Sequence, residues 1–189
     1  MQEETSFFTV EVQTELREFV ANLEKELGNQ VQITEMGPVA AREERENGTP
    51  TRPKPVLSDK AIMRDIPTEG GSVPVRAFIP TAQIDGVYLH IHGGGFVTGR
   101  AHHQDEQLVE IMEEANAAVI SVDYRLAPEN PYPAAQDDCE AVAQWVIENA
   151  EKEFGTDRIA IGGESAGGHL AAATTVSYTH LTLPTSDLV

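Results

Sequence analysis

Short apolar runs alternate with longer amphipathic segments from residue 86 onward, and this alternation constrains the fold of the 189-residue chain more than any other feature. The apolar runs lie at residues 86–92, 118–122 and 159–162, and the segments after them lie at 104–114, 134–151 and from 166 onward. Strands that are apolar almost throughout are typical of a parallel sheet buried on both faces by helices. The sequence therefore predicts an α/β domain whose mostly parallel sheet is covered by helices.

The part of the chain before this domain predicts a helix and a linker. Apolar residues recur at three- and four-residue steps from Val12 to Leu27, which predicts an amphipathic helix that ends at Gly28. Residues 39–55 mix charged residues with glycine and proline without periodicity, which is typical of an exposed linker. We therefore expect residues 1–55 to form a first region of helix and linker.

A β-hairpin is predicted between this region and the alternating segments. Two strand-like runs, residues 61–67 and 73–78, flank a gap that contains two glycines. A gap of this kind between two strand-like runs is typical of a hairpin. We expect the α/β domain to occupy residues 56–175.

Acidic residues dominate the charge of the chain, since 31 acidic and 13 basic residues give a formal net charge of −18. A surface of this sign repels nucleic acid and anionic membranes, so we expect neither as a partner. The charge favours solubility, and a high-salt habitat is an interpretation that stays open. Cys139 is the single cysteine, which excludes an internal disulfide. The sequence shows no secretion signal and no membrane-spanning apolar stretch, so we expect a cytoplasmic location.

Residues Gly163, Glu164, Ser165, Ala166 and Gly167 match the pattern G-x-S-x-G between a predicted strand and a predicted helix. In hydrolases, the serine of this pattern sits on a sharp, strained turn where side chains larger than glycine would collide with the backbone. The start of the following helix favours negative charge. For this motif alone, a glycine-rich turn without chemistry, as in nucleotide-binding folds, is the alternative.

A second motif, His92-Gly93-Gly94-Gly95-Phe96, follows the strand predicted at its start. Ester hydrolysis develops negative charge on the carbonyl oxygen, and backbone amides of a closely approachable loop can stabilise this charge. The alternative is that the glycines form a flexible turn or a phosphate-binding loop. This alternative is weaker because the G-x-S-x-G motif follows a later strand, in the order that α/β hydrolases have. The two motifs together predict a serine hydrolase.

Four motifs in this order resemble the signature of the hormone-sensitive-lipase family, which comprises bacterial-type carboxylesterases of the α/β-hydrolase fold. The resemblance covers residues 61–173. The motifs are residues 92–96, residues 123–129 (Asp-Tyr-Arg-Leu-Ala-Pro-Glu), residues 132–135 (Tyr-Pro-Ala-Ala) and residues 163–168 (Gly-Glu-Ser-Ala-Gly-Gly).

The resemblance implies hydrolysis of short to medium acyl esters through an acyl-serine intermediate, without a metal or cofactor. Ser165 would attack the ester carbonyl, and His92 would shape the glycine loop rather than act as the base. The backbone amides that would bind the oxyanion are those of Gly94, Gly95 and Ala166. The N-terminal helix would belong to a cap over the acyl pocket.

In this family the acid and the histidine of the catalytic triad follow the serine in the chain. The sequence after Ser165 offers no match to them, so we expect an N-terminal portion of the enzyme that is inactive by itself. A small-molecule receptor of the same fold, and an amidase or peptidase, stay open as alternative functions. The strand at residues 159–162 would lie at an exposed sheet edge.

For several other polar or aromatic residues, the sequence predicts structural roles. His169 follows Ser165 by four residues along the predicted helix and could be considered as the base. The strand-to-helix turn directs the serine away from this helix, however, so we expect a surface or packing role for His169. Asp137 and Asp138 are expected on a helix surface, and Trp145 is expected to pack in the core or against a helix.

Four histidines could suggest a metal site, because His90 and His92 are two residues apart on a strand and His102 and His103 follow. No cysteine or carboxylate with ligand spacing accompanies them. The sequence therefore predicts no metal centre.

Residues 174–185 depart from the family pattern. This run is rich in β-branched residues, and Pro184 would interrupt a helix. Residues 176–185 also resemble a translated transposase-type sequencing adapter, so we expect residues 176–189 to be a non-native tail. A diverged C-terminal strand is the alternative.

Overall fold

The structure is a computed structural model that describes residues 10–28 and 33–182. The chain divides into two compact units, Met1–Lys54 and Pro55–Val189. Within the described ranges, no helix combines the length and the apolar character that crossing a bilayer requires.

The first unit contains the helices α1 (Val10–Gly28), α2 (Ile33–Met36) and α3 (Pro38–Asn47). The predicted N-terminal helix is confirmed, and it ends at Gly28 as expected. Its apolar side chains are largely exposed, with Phe19 at 64%.

The linker predicted for residues 39–55 is wrong over its first part, because α3 occupies Pro38–Asn47. Proline is favoured at the first position of a helix, and the alanine, arginine and glutamate residues that follow are strong helix formers. Gly48 caps α3 with a φ of 79°, and its amide donates to the carbonyl of Glu44 at 2.8 Å. A mostly charged helix has no apolar stripe, so hydrophobic periodicity did not reveal it.

The second unit alternates strands with helices, and the strands and helices predicted between residues 61 and 166 are confirmed with small shifts at their ends. Its strands are β1 (Ile62–Thr68), β2 (Gly71–Phe78), β3 (Gly86–Ile91), β4 (Ala117–Val122) and β5 (Ile159–Gly163). Its helices are α4 (Asp105–Ala115), α5 (Ala134–Phe154) and α6 (Ala166–Thr182), and a short 3-10 helix (Ala101–Gln104) precedes α4.

The five described strands form one sheet in the order β1-β2-β4-β3-β5. The β1–β2 hairpin is antiparallel, and β2 also pairs antiparallel with β4. β3 pairs in parallel with both β4 and β5, so the three strands of the alternating segment form the parallel part. In the described sheet β5 is an edge strand, with Ile159 36% exposed.

The core lies where the central strands meet the helices. All six residues of β4 are buried, as the continuous apolar run predicts. Val142 and Val146 of α5 and Leu170 of α6 pack into the same cluster. Trp145 packs against this cluster as expected, and the guanidinium of Arg64 lies 5.4 Å from its ring centroid.

α6 continues through residues 174–182, so the alternative of a diverged strand is wrong for this stretch. The hydroxyl of Thr175 donates to the carbonyl of Ala171 at 2.8 Å, one helical turn earlier. Ser177 donates to Glu140 of α5 at 2.7 Å, which attaches this part of α6 to its neighbour. Pro184 lies outside the described residues, and the non-native tail at residues 176–189 stays a prediction.

The prediction that Asp138 lies on the surface is wrong, because its exposure is 5%. The amide of Arg125 donates to Asp138 Oδ2 at 2.9 Å, and the guanidinium donates to Oδ1 at 2.8 Å. A buried carboxylate needs such a partner. Arg125 belongs to the loop after β4, so the pattern of α5 alone could not reveal the pair. Asp137 is exposed, as predicted.

A buried ion pair joins α4 to the antiparallel part of the sheet. The side chain of Asp105 has 0% exposure and that of Arg76 has 12%. Arg76 Nε donates to Asp105 Oδ1 at 2.6 Å, and the amide of Ser58 donates to Oδ2 at 2.7 Å. Both carboxylate oxygens are therefore satisfied inside the protein.

We predict that Asp105→Ala lowers the free energy of unfolding by about 3–5 kcal/mol, because it leaves the Arg76 guanidinium without its buried partner. Urea unfolding followed by circular dichroism measures the change. Glu106→Ala is the control, since Glu106 is exposed on the next position of α4 and should change stability by about 0.5 kcal/mol or less. Equal effects of the two substitutions would contradict the prediction.

Candidate active site

Ser165 lies on the turn between β5 and α6, as the G-x-S-x-G pattern predicts. Its φ is 54°, a left-handed backbone conformation that residues other than glycine rarely adopt. Strain of this kind costs about 1–3 kcal/mol and occurs where the surrounding structure enforces it, often at active sites. Ser165 is exposed, so its hydroxyl is accessible from solvent.

The turn leads directly into the first residues of α6. The amide of Gly167 donates to the carbonyl of Glu164 at 2.9 Å, and the amide of His169 donates to that of Ser165 at 3.1 Å. Ser165 is thus joined to the N-terminal end of a 17-residue helix, whose partial positive charge stabilises an anion there.

The glycine loop begins where β3 ends. The amides of Val97 and Thr98 both donate to the carbonyl of Gly94, at 3.1 and 2.9 Å, and close a tight turn. Gly94 has a φ of 132°, and a Cβ there would lie 2.0 Å from the carbonyl oxygen of Thr98. The turn therefore requires glycine at this position.

The backbone amides of Gly94, Gly95 and Ala166, which lie near Ser165, have no hydrogen-bond acceptor among the described residues. Gly95 is exposed and Gly94 is partly exposed. Ala166 is the first residue of α6, where amides lack an intrahelical partner. These are the amides that the sequence predicts for the oxyanion hole, and this role stays a prediction.

The nucleophile turn and the glycine loop pack against each other through glycine. A Cβ on Gly93 would lie 2.8 Å from the carbonyl oxygen of Glu164 and 3.4 Å from Ser165 Cβ. A Cβ on Gly167 would lie 1.9 Å from the carbonyl oxygen of Ile91, and one on Gly163 would lie 2.2 Å from the same oxygen. Larger residues would therefore separate the loop from the serine.

We predict that Gly167→Ala destabilises the protein by about 2 kcal/mol or more, because its methyl group would collide with backbone rather than with a movable side chain. Gly70→Ala is the control, since a Cβ at Gly70 meets no atom within 4 Å. Thermal unfolding of both variants measures the difference. Equal stability of the two variants would refute this account of the packing.

His92 lies at the base of the glycine loop, where it is buried at 1% exposure. Its ring stacks on Tyr124 with centroids 4.1 Å apart, and its Nδ1 lies 2.9 Å from the carbonyl oxygen of Gly93. The hydroxyl of Tyr124 donates to the carbonyl of His92 at 2.8 Å. These contacts hold the first residues of the loop, and the shaping role of His92 stays a prediction.

A second set of side chains at this site was not identified from the sequence. Glu164 Oε1 accepts from the amide of Gly93 at 2.6 Å, and Glu164 Oε2 lies 3.1 Å from His90 Nε2. His90 Nδ1 lies 2.8 Å from the hydroxyl oxygen of Ser121. In the sequence, the one sign that Glu164 belongs to the site is its position directly before Ser165.

The carboxyl group of Glu164 is strongly biased towards its ionised form. Burial by itself would raise its pKa, but the hydrogen bonds from His90, from the amide of Gly93 and from Gln104 outweigh burial and lower the pKa to about 2. Its side chain is 43% exposed, so solvent screens part of this effect. At neutral pH the group is an acceptor with no proton to donate.

The depressed pKa of Glu164 predicts a pH dependence of stability. The stabilising contribution is fully present above the unfolded pKa, near 4.5, and is lost as the pH falls through about 2. We expect the stability difference between the wild-type protein and Glu164→Gln to be constant above pH about 5 and to shrink below it. Chemical denaturation between pH 3 and 7 measures this difference. A difference that grows on acidification would contradict the assigned hydrogen bonds.

The remaining histidines have other surroundings. His169 is exposed, and its ring meets Phe96 edge-on with centroids 5.8 Å apart. Among the histidines whose side chains the structure describes, neither His169 nor any other forms a hydrogen bond with the hydroxyl of Ser165. His90 and His92 are not part of any described group of side chains that could share a metal ion.

Comparison with known proteins identifies the family. The model of a family described as alpha/beta hydrolase fold matches residues 88–186, which is more than half of the chain. The chain therefore belongs to this α/β-hydrolase family, and the fold expected from the motifs is confirmed. The match extends past residue 173, where the motif-based resemblance ends.

Relatives and solved structures support the same family. The chain is 50% identical over 88 residues to Esterase LipI of Mycobacterium tuberculosis, covering 46% of this chain and 27% of that protein. It is 46% identical over 104 residues to Carboxylesterase NlhH of the same species, covering 53% and 32%. The solved Pyrobaculum calidifontis esterase has a TM-score of 0.71 and 30% identity, covering 86% of this chain and 54% of that one. The matched region thus spans about a third or less of these curated relatives.

Proposed function

We propose that this chain carries the nucleophile and the oxyanion-binding amides of a carboxylic ester hydrolase. The observation that carries the proposal is the exposed, left-handed Ser165. It lies beside a glycine loop and a helix start in which the amides of Gly94, Gly95 and Ala166 have no acceptor among the described residues. The names of the relatives, esterase and carboxylesterase, support the same chemistry.

In this mechanism the hydroxyl oxygen of Ser165 attacks the ester carbonyl while a base removes its proton. The carbonyl oxygen becomes an oxyanion, which accepts hydrogen bonds from the amides of Gly94, Gly95 and Ala166. Each such donor contributes about 2.7–4 kcal/mol to the transition state. Collapse of the intermediate releases the alcohol and leaves an acyl-serine, which water hydrolyses in the reverse sequence of proton transfers.

The base and its acid partner are assigned to residues outside the described ranges. This part of the proposal is supported by the surroundings of Ser165, where no histidine with a described side chain forms a hydrogen bond with the hydroxyl. In α/β hydrolases the acid and the histidine follow the serine in the chain.

We further propose short to medium acyl esters as substrates and a cap function for the region of residues 1–55, which contains α1. The hydrolase portion would occupy residues 56–175, and the tail, residues 176–189, would take no part in the reaction. The net charge of −18 would repel anionic substrates, so neutral esters are favoured.

The test uses the complete reading frame of the source gene, assayed on p-nitrophenyl butyrate beside its Ser165→Ala variant. We expect the substitution to lower kcat by about 10³-fold or more, because it removes the nucleophile. Ser72→Ala is the control, since Ser72 is an exposed residue of the β1–β2 hairpin and should leave kcat unchanged.

Hydrolysis that survives Ser165→Ala would overturn the proposed nucleophile. An active wild-type protein that cleaves amides faster than esters would indicate an amidase or peptidase. A folded but inactive wild-type protein that binds small molecules would favour a receptor of the same fold.

A further inference from the structure

Glu164, His90 and Ser121 form a hydrogen-bonded row across the carboxyl ends of the three parallel strands. His90 of β3 is the register partner of Ser121 in β4 and of Gly162 in β5. The row continues from the hydroxyl of Ser121 through the ring of His90 to the carboxylate of Glu164. It ends on the backbone of the glycine loop, where the Gly93 amide donates to Glu164 Oε1.

The order serine, histidine, carboxylate is that of a hydrolase triad, but this row cannot act as one. Ser121 has 0% exposure and His90 has 3%, so no substrate can reach the hydroxyl of Ser121. The Ser121 hydroxyl also lies within 3.4 Å of the carbonyl oxygen of Ala101, a second buried partner. The row is therefore a structural connection that ends beside Ser165.

Glu164 is the member of the row that belongs to the nucleophile turn itself. One of its carboxylate oxygens binds the first amide of the glycine loop, and the other faces His90. Glu164 thus links the nucleophile turn to the start of the glycine loop.

The hydrogen bond from the Gly93 amide to Glu164 determines which amides of the glycine loop stay free. Because the amide of Gly93 is bound to the carboxylate, the next two amides, those of Gly94 and Gly95, are the ones left for a ligand. The 2.6 Å bond to an ionised acceptor is of the strong, charge-assisted kind. It fixes where the free amides stand relative to Ser165.

We propose that Glu164 is a positioning residue, whose carboxylate ties the glycine loop to the nucleophile turn and so holds the oxyanion-binding amides in register with Ser165. The inference rests on the proposed ester hydrolysis. It predicts that the loss of the carboxylate affects the transition state rather than substrate binding, because the negative charge on the carbonyl oxygen develops on the way to the tetrahedral intermediate and is absent from the bound ester.

The kinetic test compares Glu164→Ala and Glu164→Gln in the complete gene product with p-nitrophenyl butyrate. We expect kcat to fall about 10²-fold in Glu164→Ala, the effect of displacing a catalytic group by about 1 Å, with KM within about twofold of wild type. Glu164→Gln keeps an acceptor oxygen without the charge, so its loss should be smaller, about tenfold. Affinity for a phosphonate transition-state analogue should fall in parallel with kcat/KM.

Glu148→Gln is the matched control, because Glu148 is an exposed carboxylate on α5 that bonds to Gln144 one turn earlier. We expect it to leave kcat and the affinity for the analogue unchanged. Thermal unfolding of each variant shows whether it is folded at the assay temperature. If a folded Glu164→Gln or Glu164→Ala protein retains wild-type kcat while the wild type depends on Ser165, the inference is wrong.

A second measurement needs no activity and uses the 189-residue chain. The Gly93 amide proton should exchange about tenfold or more faster in Glu164→Ala than in wild type, because a hydrogen bond to a charged group is lost. It should also move upfield in the NMR spectrum, and Glu164→Gln should lie between the two. Unchanged exchange and chemical shift at Gly93 would overturn the inference.

The two measurements separate the failure of this inference from that of the proposed function. If the wild-type protein shows no Ser165-dependent hydrolysis, the proposed function fails, and the Gly93 amide still decides whether Glu164 holds the loop. If hydrolysis depends on Ser165 but not on Glu164, the positioning role alone is refuted.

Discussion

The contact between the nucleophile turn and the carboxyl end of β3 is the constraint on which the rest of the site depends. The carbonyl oxygen of Ile91 lies where a Cβ of Gly163 or Gly167 would otherwise stand. This contact requires glycine on both sides of the serine and brings α6 against the parallel strands. The glycine loop continues from β3, so the same contact also sets the loop beside Ser165.

Contacts with neighbouring residues hold the strained backbone of Ser165 and the glycine loop in place. Ser165 adopts a left-handed conformation that costs about 1–3 kcal/mol, and β5 and α6 hold it from both sides. The glycine loop is held by the stack of His92 on Tyr124 and by the carboxylate of Glu164. The exposed serine and the unpaired amides are therefore supported by neighbours that ring stacking and hydrogen bonds hold in place, as a preorganised site requires.

Much of the fold and of the candidate site could be predicted from the sequence, because local sequence features determine them. Periodicity and the two glycine motifs gave the order of strands and helices, the serine turn and the loop that faces it. What periodicity could not give was α3, whose residues are charged rather than amphipathic, although Pro38 marks its start. Helix propensity would have predicted that helix better than hydrophobic pattern.

Contacts between residues far apart in the chain were beyond the reach of local patterns. The helical pattern of α5 predicts a surface position for Asp138. The structure instead shows it buried and hydrogen-bonded to Arg125, which lies in the loop after β4. His90 and Glu164 are 74 positions apart, and strand register, which a single sequence does not specify, brings them together. The residue roles inferred from family motifs were thus limited to the nucleophile, the oxyanion-binding amides and His92. The contacts of Glu164 and His90 came from the structure.

The central claim, that Ser165 is the nucleophile, is tested most directly by trapping it covalently. The protein expressed from the complete reading frame would be treated with a p-nitrophenyl alkylphosphonate ester, digested and mapped by mass spectrometry. The account predicts one phosphonyl adduct per molecule, located on Ser165 and absent from the denatured protein. An adduct on another serine, or none in a folded protein that hydrolyses esters, would contradict it.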